Sequence, residues 1–270
     1  MSSVVVSACF DLSALTEKSK DVLDLNHPMC LFCDETTQEK LRELRGEKPT
    51  IYVVKSLTEY DYYGELYPII VGNREKLPTI DTNNTPGYFL SSVFKILALK
   101  AAQKQIQATH YFWIDLNIGN VVRNVHLIQR ALQSPRSKIA MCYIHYRSHQ
   151  ELYPVWNFLN GDGKCCFGTG FFSVENAYVE RFYDLSFGVF RRQVMKEGVG
   201  HSDSQCFVYV YDSNPEVFNL FFGDYYSLVE NYHRSVEDHD SIRRHFVEKA
   251  QADNKIDVVA VAQNSMLKID

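Results

Sequence analysis

The first half of the chain alternates short apolar runs with segments of helical pattern, and this alternation constrains the fold more than any other feature. The runs 3–10, 28–33 and 49–56 have the length and composition of buried strands. Segment 12–25 places its leucines and a valine on roughly one helical face, and segment 34–46 begins with acidic residues and ends with basic ones and a glycine. Strands alternating with helices of this length predict an α/β fold with a parallel sheet and right-handed crossovers.

The remaining chain predicts further elements of both kinds. A tyrosine-rich stretch with proline, glycine and asparagine, 57–87, predicts a long functional or mobile connection. We then expect helices and strands in this order: helix 88–107, the strand of block 109–119, helix 120–133, strand 138–145, a glycine-bearing segment 165–174, a helix through about 197, an apolar stretch 204–213, a charged helix 237–253 and a last strand 256–263. No repeat or linker interrupts the chain, so a single domain is predicted.

Composition and charge exclude several classes of protein. A chain of 270 residues with 46% hydrophobic and 23% charged residues can bury a full core. A net charge of −5 argues against a protein that binds nucleic acid polymers, which require a surplus of lysine and arginine. No segment approaches the roughly 18–20 apolar residues that a membrane span needs, and the N-terminus has no basic region before its apolar run. We therefore expect a cytoplasmic protein without a membrane span.

The seven cysteines do not form a disulfide framework, because their number is odd and their spacing irregular. Cys30 and Cys33 match the C-x-x-C motif, which is typical of redox and zinc sites. Three residues apart on a predicted strand, however, they point to opposite faces, and a second C-x-x-C is missing. We interpret them, and the adjacent Cys165 and Cys166, as buried free thiols.

The block 111–119, YFWIDLNIG, ends an apolar run on one aspartate, Asp115, followed two places later by Asn117. In α/β proteins, sites gather where strands end at their carboxyl side. A carboxylate and an amide oxygen suit a hard divalent cation, which binds a diphosphate and neutralises charge on a leaving group. The alternative is that Asp115 caps a helix that starts near Gly119 or Asn120.

The order of several motifs resembles that of the HtrL/YibB-like (WlaTC-type) glycosyltransferase family over about residues 4–233. The motifs are VVVSACFD, LFCDETTQEKLRELR, the helix that carries Lys95, YFWIDLNIG, GTGFF, HSDSQ and GDYYSLVENYH. The resemblance implies a GT-A-like, Rossmann-type mixed sheet, mostly parallel and flanked by helices. It also implies a nucleotide-diphospho-sugar donor, with UDP as the expected nucleotide, and Mn²⁺ or Mg²⁺ bound at a DxD-like motif. Asp115 and Asn117 occupy that motif, and the asparagine removes one of its charges.

The resemblance also implies donor contacts elsewhere. At the end of the first strand, Cys9, Phe10 and Asp11 are expected beside the nucleotide base, although Asp11 also suits a helix N-cap. Arg45 lies where the family has an arginine, and its guanidinium suits a diphosphate; equally, it could only complement the helix dipole. Lys95 interrupts an apolar helix, so it needs the donor or an internal carboxylate as partner, unless its amine reaches solvent.

On the acceptor side, the resemblance implies that Gly168, Thr169 and Gly170 form a small-residue turn that lets a substrate approach the backbone; a plain turn is the alternative. Asp203 matches an acidic position and would be the acid or base that acts on the acceptor hydroxyl; its alternative is to open a helix as a cap. His233 is the histidine best placed to complete the metal shell, unless it faces solvent.

Together these expectations describe one GT-A-like domain over 1–270, with a nucleotide-binding half at about 1–120 and an acceptor-binding half at about 121–270. It would move a sugar from a nucleotide-diphospho-sugar to a hydroxyl of a glycan or sugar, and segment 57–87 would act as a lid that excludes water. The alternative is a catalytically inactive nucleotide- or sugar-binding module, which the missing second carboxylate at Asn117 favours. A hydrolase or phosphotransferase with Asp115 as nucleophile would want an aspartate at 117, which the sequence lacks.

Overall fold

A seven-stranded sheet forms the centre of the part of the chain that the computed structural model describes, namely residues 2–74, 85–122, 124–144, 167–198, 200 and 202–234. The strands are β1 (Ser3–Cys9), β2 (Met29–Cys33), β3 (Thr50–Val54), β4 (His110–Ile114), β5 (Ile139–Tyr143), β6 (Phe167–Glu175) and β7 (Phe221–Phe222). Their order across the sheet is β3-β2-β1-β4-β6-β5-β7.

The sheet is mixed but mostly parallel. Strands β3, β2, β1 and β4 are parallel neighbours, and β5 pairs with β7 in parallel. Strand β6 runs antiparallel to both β4 and β5. The predicted fold class is therefore confirmed. The pairing of β4 with β6 also joins the two predicted halves of the chain in one sheet.

Helices cover both faces of this sheet. They are α1 (Ser19–Leu23), α2 (Glu35–Arg45), α3 (Asp61–Arg74), α4 (Pro86–Gln105), α5 (Leu127–Gln133), α6 (Val179–Glu197) and α7 (Asp203–Ser213). The core on one face includes buried side chains of α3, α4, α6 and α7, and the core on the other includes those of α1, α2 and α5. Strand β1 supplies both cores: Val4 and Val6 belong to the first and Val5 to the second, because successive side chains on a strand point to opposite faces.

The stretch predicted as a long connection at 57–87 contains a helix, which corrects that prediction. Helix α3 buries Tyr62, Leu66 and Ile70 against the first core. These three residues are spaced by four, a helical period that its single proline, Pro68, does not interrupt. Residues 75–84 lie outside the described residues, and a lid function stays a prediction.

Other boundaries differ from the prediction as well. Segment 12–25 forms a 3-10 turn at Leu12–Ala14 and the short α1, and the helix expected at 120–133 is confined to α5. Gly168, Thr169 and Gly170 lie within strand β6 rather than in a turn. Gly168 pairs with Cys142 of β5, and the register between β5 and β6 shifts between Met141 and Cys142. Cys165, Cys166 and the elements predicted at 237–253 and 256–263 lie outside the described residues.

The described cysteines are buried free thiols. Cys30 and Cys33 both lie on β2, and they belong to the cores on opposite faces of the sheet. This placement agrees with the strand interpretation of the C-x-x-C motif. Among the described helices, none is both long and apolar enough to cross a membrane.

Candidate functional site

A pocket of about 480 Å³ opens at the carboxyl ends of β1 and β4. The N-terminal half of α4, strand β6 and the start of α7 complete its walls. The residues that line it are Ala8, Phe10, Tyr88, Ser91, Ser92, Phe94, Lys95, Trp113, Asp115, Asn117, Ile118, Val121, Thr169, Gly170, Asp203, Tyr225 and Leu228. This is the edge of the sheet at which α/β proteins place their ligands.

Helix α4 presents a polar stripe to the pocket. Tyr88, Ser91, Ser92 and Lys95 follow the i, i+3, i+4, i+7 spacing of a single helical face. The helix starts at Pro86, and the Thr85 side chain accepts a hydrogen bond from the Tyr88 N–H at 3.1 Å. Of the four pocket residues, only Lys95 was singled out from the sequence. The polar stripe in an otherwise apolar helix was the signal for the other three.

Lys95 lies at the centre of the polar contacts in the pocket. Its Nζ is 2.5 Å from Asp203 Oδ2 and 3.9 Å from Asp115 Oδ1, and it donates a hydrogen bond to the Thr169 carbonyl at 3.2 Å. It also lies 5.5 Å from the centroid of the Trp113 ring, within cation–π range. Burial would lower the pKa of this amine, but the two carboxylates outweigh burial and raise the pKa above its ordinary value. Lys95 is therefore a buried ammonium, and its partners are internal carboxylates.

Asp203 opens helix α7 and lines the pocket, with only 4% of its surface exposed. Its N–H donates to the Ser92 hydroxyl at 3.3 Å, which links the starts of α4 and α7. Its Oδ1 accepts from the Ser204 N–H at 2.9 Å, and its Oδ2 forms an ion pair with Lys95 rather than a well-directed hydrogen bond. The helix cap is Ser202 with Gln205, not Asp203. Both carboxylate oxygens of Asp203 are thus engaged inside the protein.

Asp115 faces the pocket from the residue that follows β4. Trp113, two residues earlier on the same side of the strand, donates from Nε1 to Asp115 Oδ1 at 2.6 Å, and the Asp115 N–H donates to the Gly170 carbonyl at 2.8 Å. The side chain is 44% exposed and caps no helix, since the 3-10 turn Ile118–Asn120 begins at Asn117 without a side-chain cap. Asp115 is therefore the carboxylate in this pocket that a ligand can reach.

The metal ligands predicted from the sequence are not brought together. Asn117 borders the pocket, but its Oδ1 accepts from the hydroxyls of Thr16 at 3.2 Å and Ser19 at 2.5 Å, and its Nδ2 donates to the Ala14 carbonyl. His233 does not line the pocket; burial and the nearby Arg130 lower its pKa. Within the described ranges, no group of three or more His, Cys, Asp or Glu side chains is placed to hold a metal ion. Asp115 and Asn117 line the pocket and His233 does not, so a metal site formed by these three residues stays a prediction.

The side chains of the three residues predicted beside a nucleotide base lie in different surroundings. Phe10 lines the pocket and packs edge-on against Phe94, with ring centroids 5.0 Å apart. Cys9 is buried, and its thiol contacts the Asp11 carbonyl at 3.4 Å. Asp11 is exposed and caps the 3-10 turn Leu12–Ala14, accepting from the N–H of Ser13 at 2.8 Å and from its hydroxyl at 2.7 Å. Phe10 alone among these three lies where a planar ligand could stack.

Arg45 lies outside the pocket, fully buried at the end of α2. Its guanidinium donates to the carbonyls of Leu23, Leu25, His27 and Pro49 and to the Thr50 hydroxyl. Each of its three nitrogens is thereby used within the fold. These contacts favour a structural role, namely fixing the chain segments that enter β2 and β3, over diphosphate binding.

The residues of the GTG motif divide between packing and the pocket. A Cβ at Gly168 would lie 2.0 Å from Leu228 Cδ2, so this glycine permits close packing of the segment that follows β7. Thr169 accepts from Lys95 through its carbonyl. A Cβ at Gly170 would lie 3.1 Å from Asp115 Oδ2, so Gly170 leaves space beside that carboxylate. Thr169 and Gly170 line the pocket, whereas Gly168 does not.

Comparison with solved structures gives distant similarities. Mouse xyloside xylosyltransferase 1 in its apo form has a TM-score of 0.47 and 12% identity, over 82% of this chain and 85% of that one. The mannosyltransferase Ktr4p from S. cerevisiae has a TM-score of 0.48 and 10% identity, over 82% and 68%. The 4-diphosphocytidyl-2C-methyl-D-erythritol synthase from Anaerococcus prevotii has a TM-score of 0.40 and 11% identity, over 90% and 97%. No family model and no curated protein matches the chain. None of these three similarities decides the function.

Proposed function

We propose that the chain is a glycosyltransferase, which moves a sugar from a nucleotide-diphospho-sugar to a hydroxyl of a glycan or another sugar. UDP-sugars are the first donors to test. The proposal joins the motif order, which resembles the HtrL/YibB-like family, to a pocket at the carboxyl edge of the parallel strands.

One observation carries the proposal: in the pocket, the carboxylates of Asp203 and Asp115 lie beside the buried ammonium of Lys95. Removing such charges from water is costly, and a buried ion pair is a weak source of stability. Perturbed titratable groups in a cleft are therefore candidates for function. The aromatic residues of the same pocket, Phe10 and Trp113, supply flat surfaces for a base and a sugar ring.

The proposed reaction forms a bond between the acceptor hydroxyl oxygen and the anomeric carbon of the donor sugar. The bond from that carbon to the nucleoside diphosphate breaks, and the hydroxyl proton passes to a base. Asp203 as that base stays a prediction, since it would first have to release Lys95. We assign the direct substrate contact to Asp115, which is open to the pocket, and propose that Asp203 holds Lys95 in place.

The Mn²⁺ or Mg²⁺ requirement also stays a prediction. Of its expected ligands, only Asp115 combines a place in the pocket with a side chain that a ligand can reach. We assign no step of the proposed reaction to a metal ion.

A thermal-shift screen with nucleotide-sugars, followed by an assay for released nucleoside diphosphate, tests the proposal. We expect a donor to raise the Tm of the wild-type protein more than that of Asp115→Ala, and we expect nucleoside diphosphate to be released when an acceptor is added. Parallel runs with Mn²⁺ and with EDTA test the metal requirement. No Tm shift with UDP-, GDP-, CDP- or dTDP-linked sugars would contradict the proposal.

The second candidate is an inactive nucleotide- or sugar-binding module. Its support is the engagement of Asn117 and Asp203 inside the protein, which leaves Asp115 as the one open carboxylate among the described residues of the pocket. A module would bind the nucleotide-sugar without releasing nucleoside diphosphate over a long incubation with a glycan library. Turnover that disappears in Asp115→Ala would exclude it.

A further inference from the structure

The charges in the pocket are not arranged for an anion. Of the described residues that line it, Lys95, Asp115 and Asp203 carry charge, which leaves one net negative charge at their centre. Both carboxylates lie within 4 Å of the ammonium. A phosphate oxygen that approached Lys95 would also approach these two carboxylates, and like charges at such distances repel.

Lys95 Nζ and Asp115 Oδ1 are separated by a 3.9 Å gap that a neutral hydroxyl could bridge. The ammonium has three protons. One is donated to the Thr169 carbonyl, and the ion pair with Asp203 Oδ2 occupies another side of Nζ. Asp115 Oδ1 is 3.9 Å from Nζ, too far for a direct hydrogen bond. An oxygen atom beside the line that joins Nζ and Oδ1 could lie about 2.8 Å from each of them. A hydroxyl there could accept from Lys95 and donate to Asp115, since a hydroxyl does both.

Trp113 fixes one side of this gap and gives it an apolar wall. Trp113 fixes Asp115 through its indole N–H, and the Trp113 ring lies beside Lys95. The Trp113 side chain is itself buried, at 5% exposure. A sugar ring combines hydroxyl groups with an apolar C–H face, and that combination matches a charged pair set beside an aromatic wall.

We propose that the gap between Lys95 Nζ and Asp115 Oδ1 is the subsite for a hydroxyl of the donor's sugar ring. The inference rests on the proposed function and refines it: these two residues select the sugar, and they do not bind the diphosphate. Asp203 is then a positioning residue, because it acts on the sugar only by holding Lys95.

Isothermal titration of nucleoside diphosphates and their sugars against wild type and Asp115→Asn tests the subsite. The probes are UDP compared with UDP-glucose, UDP-galactose and UDP-N-acetylglucosamine, and GDP compared with GDP-mannose. Loss of one charge-assisted hydrogen bond should weaken nucleotide-sugar binding by about 10-fold. The Kd of the bare diphosphate should stay within about twofold. Asp115→Glu, which keeps the charge but displaces the oxygen atoms, should behave like Asp115→Asn.

Asp24→Asn is the matched control, because it makes the same change at an exposed aspartate whose ion pair is with Lys48. It should leave every Kd unchanged. Equal weakening of the diphosphate and its sugar by Asp115→Asn would overturn the subsite and leave the proposed function standing, since the carboxylate would then act on the diphosphate. Unchanged affinity for both, or a wild-type protein that binds the diphosphate and its sugar equally, would also overturn it. If none of these probes and none of the CDP- and dTDP-linked sugars binds, the proposed function itself is overturned.

Discussion

Lys95 Nζ lies 2.5 Å from Asp203 Oδ2, and both side chains are less than 10% exposed. The pair connects α4 to the start of α7, two helices that cover the same face of the sheet. Because less than a tenth of each side chain is exposed, water would compensate poorly for the loss of either partner. Removing one partner should therefore leave the other as an uncompensated charge in the core.

We expect Lys95→Met to destabilise the fold by about 3–5 kcal/mol, the cost typical of breaking a buried ion pair from one side. The double variant Lys95→Met/Asp203→Leu should recover much of this loss, because no buried charge remains. Urea unfolding of the two single variants and the double variant gives the coupling energy between the residues.

Lys100→Met is the matched control, on the same helix. Lys100 pairs with Glu180 at 2.5 Å, but the Glu180 side chain is 54% exposed. A surface pair of this kind contributes less than about 1 kcal/mol. Equal losses in Lys95→Met and Lys100→Met would show that burial does not set the strength of the Lys95 pair.

Arg45→Met should destabilise the protein without changing nucleotide binding. The variant removes a donor from four carbonyls. Those of Leu25 and Pro49 still accept a backbone N–H from His27 and Met29, whereas the loss at the Leu23 and His27 carbonyls costs about 1–3 kcal/mol for each buried group left unsatisfied. We expect a total loss of at least about 3 kcal/mol by urea unfolding, whereas the Kd of a bound nucleotide, measured where the variant is folded, should stay the same. Arg42→Met, on the same helix with its guanidinium over the Tyr52 ring, should lose less. A tenfold weaker Kd in folded Arg45→Met would restore Arg45 to the binding site.

The sheet was predictable because its strands are short, apolar and separated by helices. The runs that gave β1, β2 and β3 needed no knowledge of their neighbours. Helix α3 was missed because its tyrosines, glycines and proline resemble those of a loop, although Tyr62, Leu66 and Ile70 carry a helical spacing. The prediction gave more weight to local composition than to this four-residue spacing, and the three residues are buried on one face of the helix.

The site was predictable only in part, because its contacts join residues far apart in sequence. Asp115 was predicted from its position at a strand end, and Lys95 from its place in an apolar helix. That Lys95 meets Asp203 depends on how α4 packs against α7, which periodicity does not specify. Arg45 shows the converse. The carbonyls that accept hydrogen bonds from Arg45 belong to segments before β2 and β3, and the sequence around Arg45 does not predict that these segments pack against it.

Gly168→Ala should destabilise the protein because the strand has no space for a side chain there. The added methyl group would lie 2.0 Å from Leu228 Cδ2 and 3.0 Å from Ile144 Cδ1, and overpacking of this kind costs about 1–3 kcal/mol. Gly64→Ala is the opposite case: no atom lies within 4 Å of the new Cβ, and alanine within helix α3 should gain up to about 1 kcal/mol. Thermal unfolding of both variants should shift Tm in opposite directions, and a higher Tm for Gly168→Ala would contradict the packing of β6.

Cys30 and Cys33 should resist alkylation in the folded protein, although they form a C-x-x-C motif. Burial raises the pKa of Cys30 to about 12 and that of Cys33 to about 11. At pH 8 the folded protein therefore holds over about 100-fold less thiolate at these positions than an exposed cysteine does. Iodoacetamide labelling followed by peptide mass spectrometry should leave both residues unmodified until urea unfolds the chain.

The same shifts set the direction of a pH effect on stability. The folded-state pKa of Cys33 lies above the ordinary value of 9.0. The protonated Cys33 thiol therefore contributes to the stability of the folded protein below pH 9, and this contribution is lost as the pH rises towards about 11. Native labelling of Cys33 should accelerate across this interval, with the urea-unfolded protein at each pH as the control for reagent reactivity. Rapid modification of Cys33 in the folded protein at pH 8 would instead indicate an accessible, activated thiol, and would return the C-x-x-C motif to consideration as a redox site.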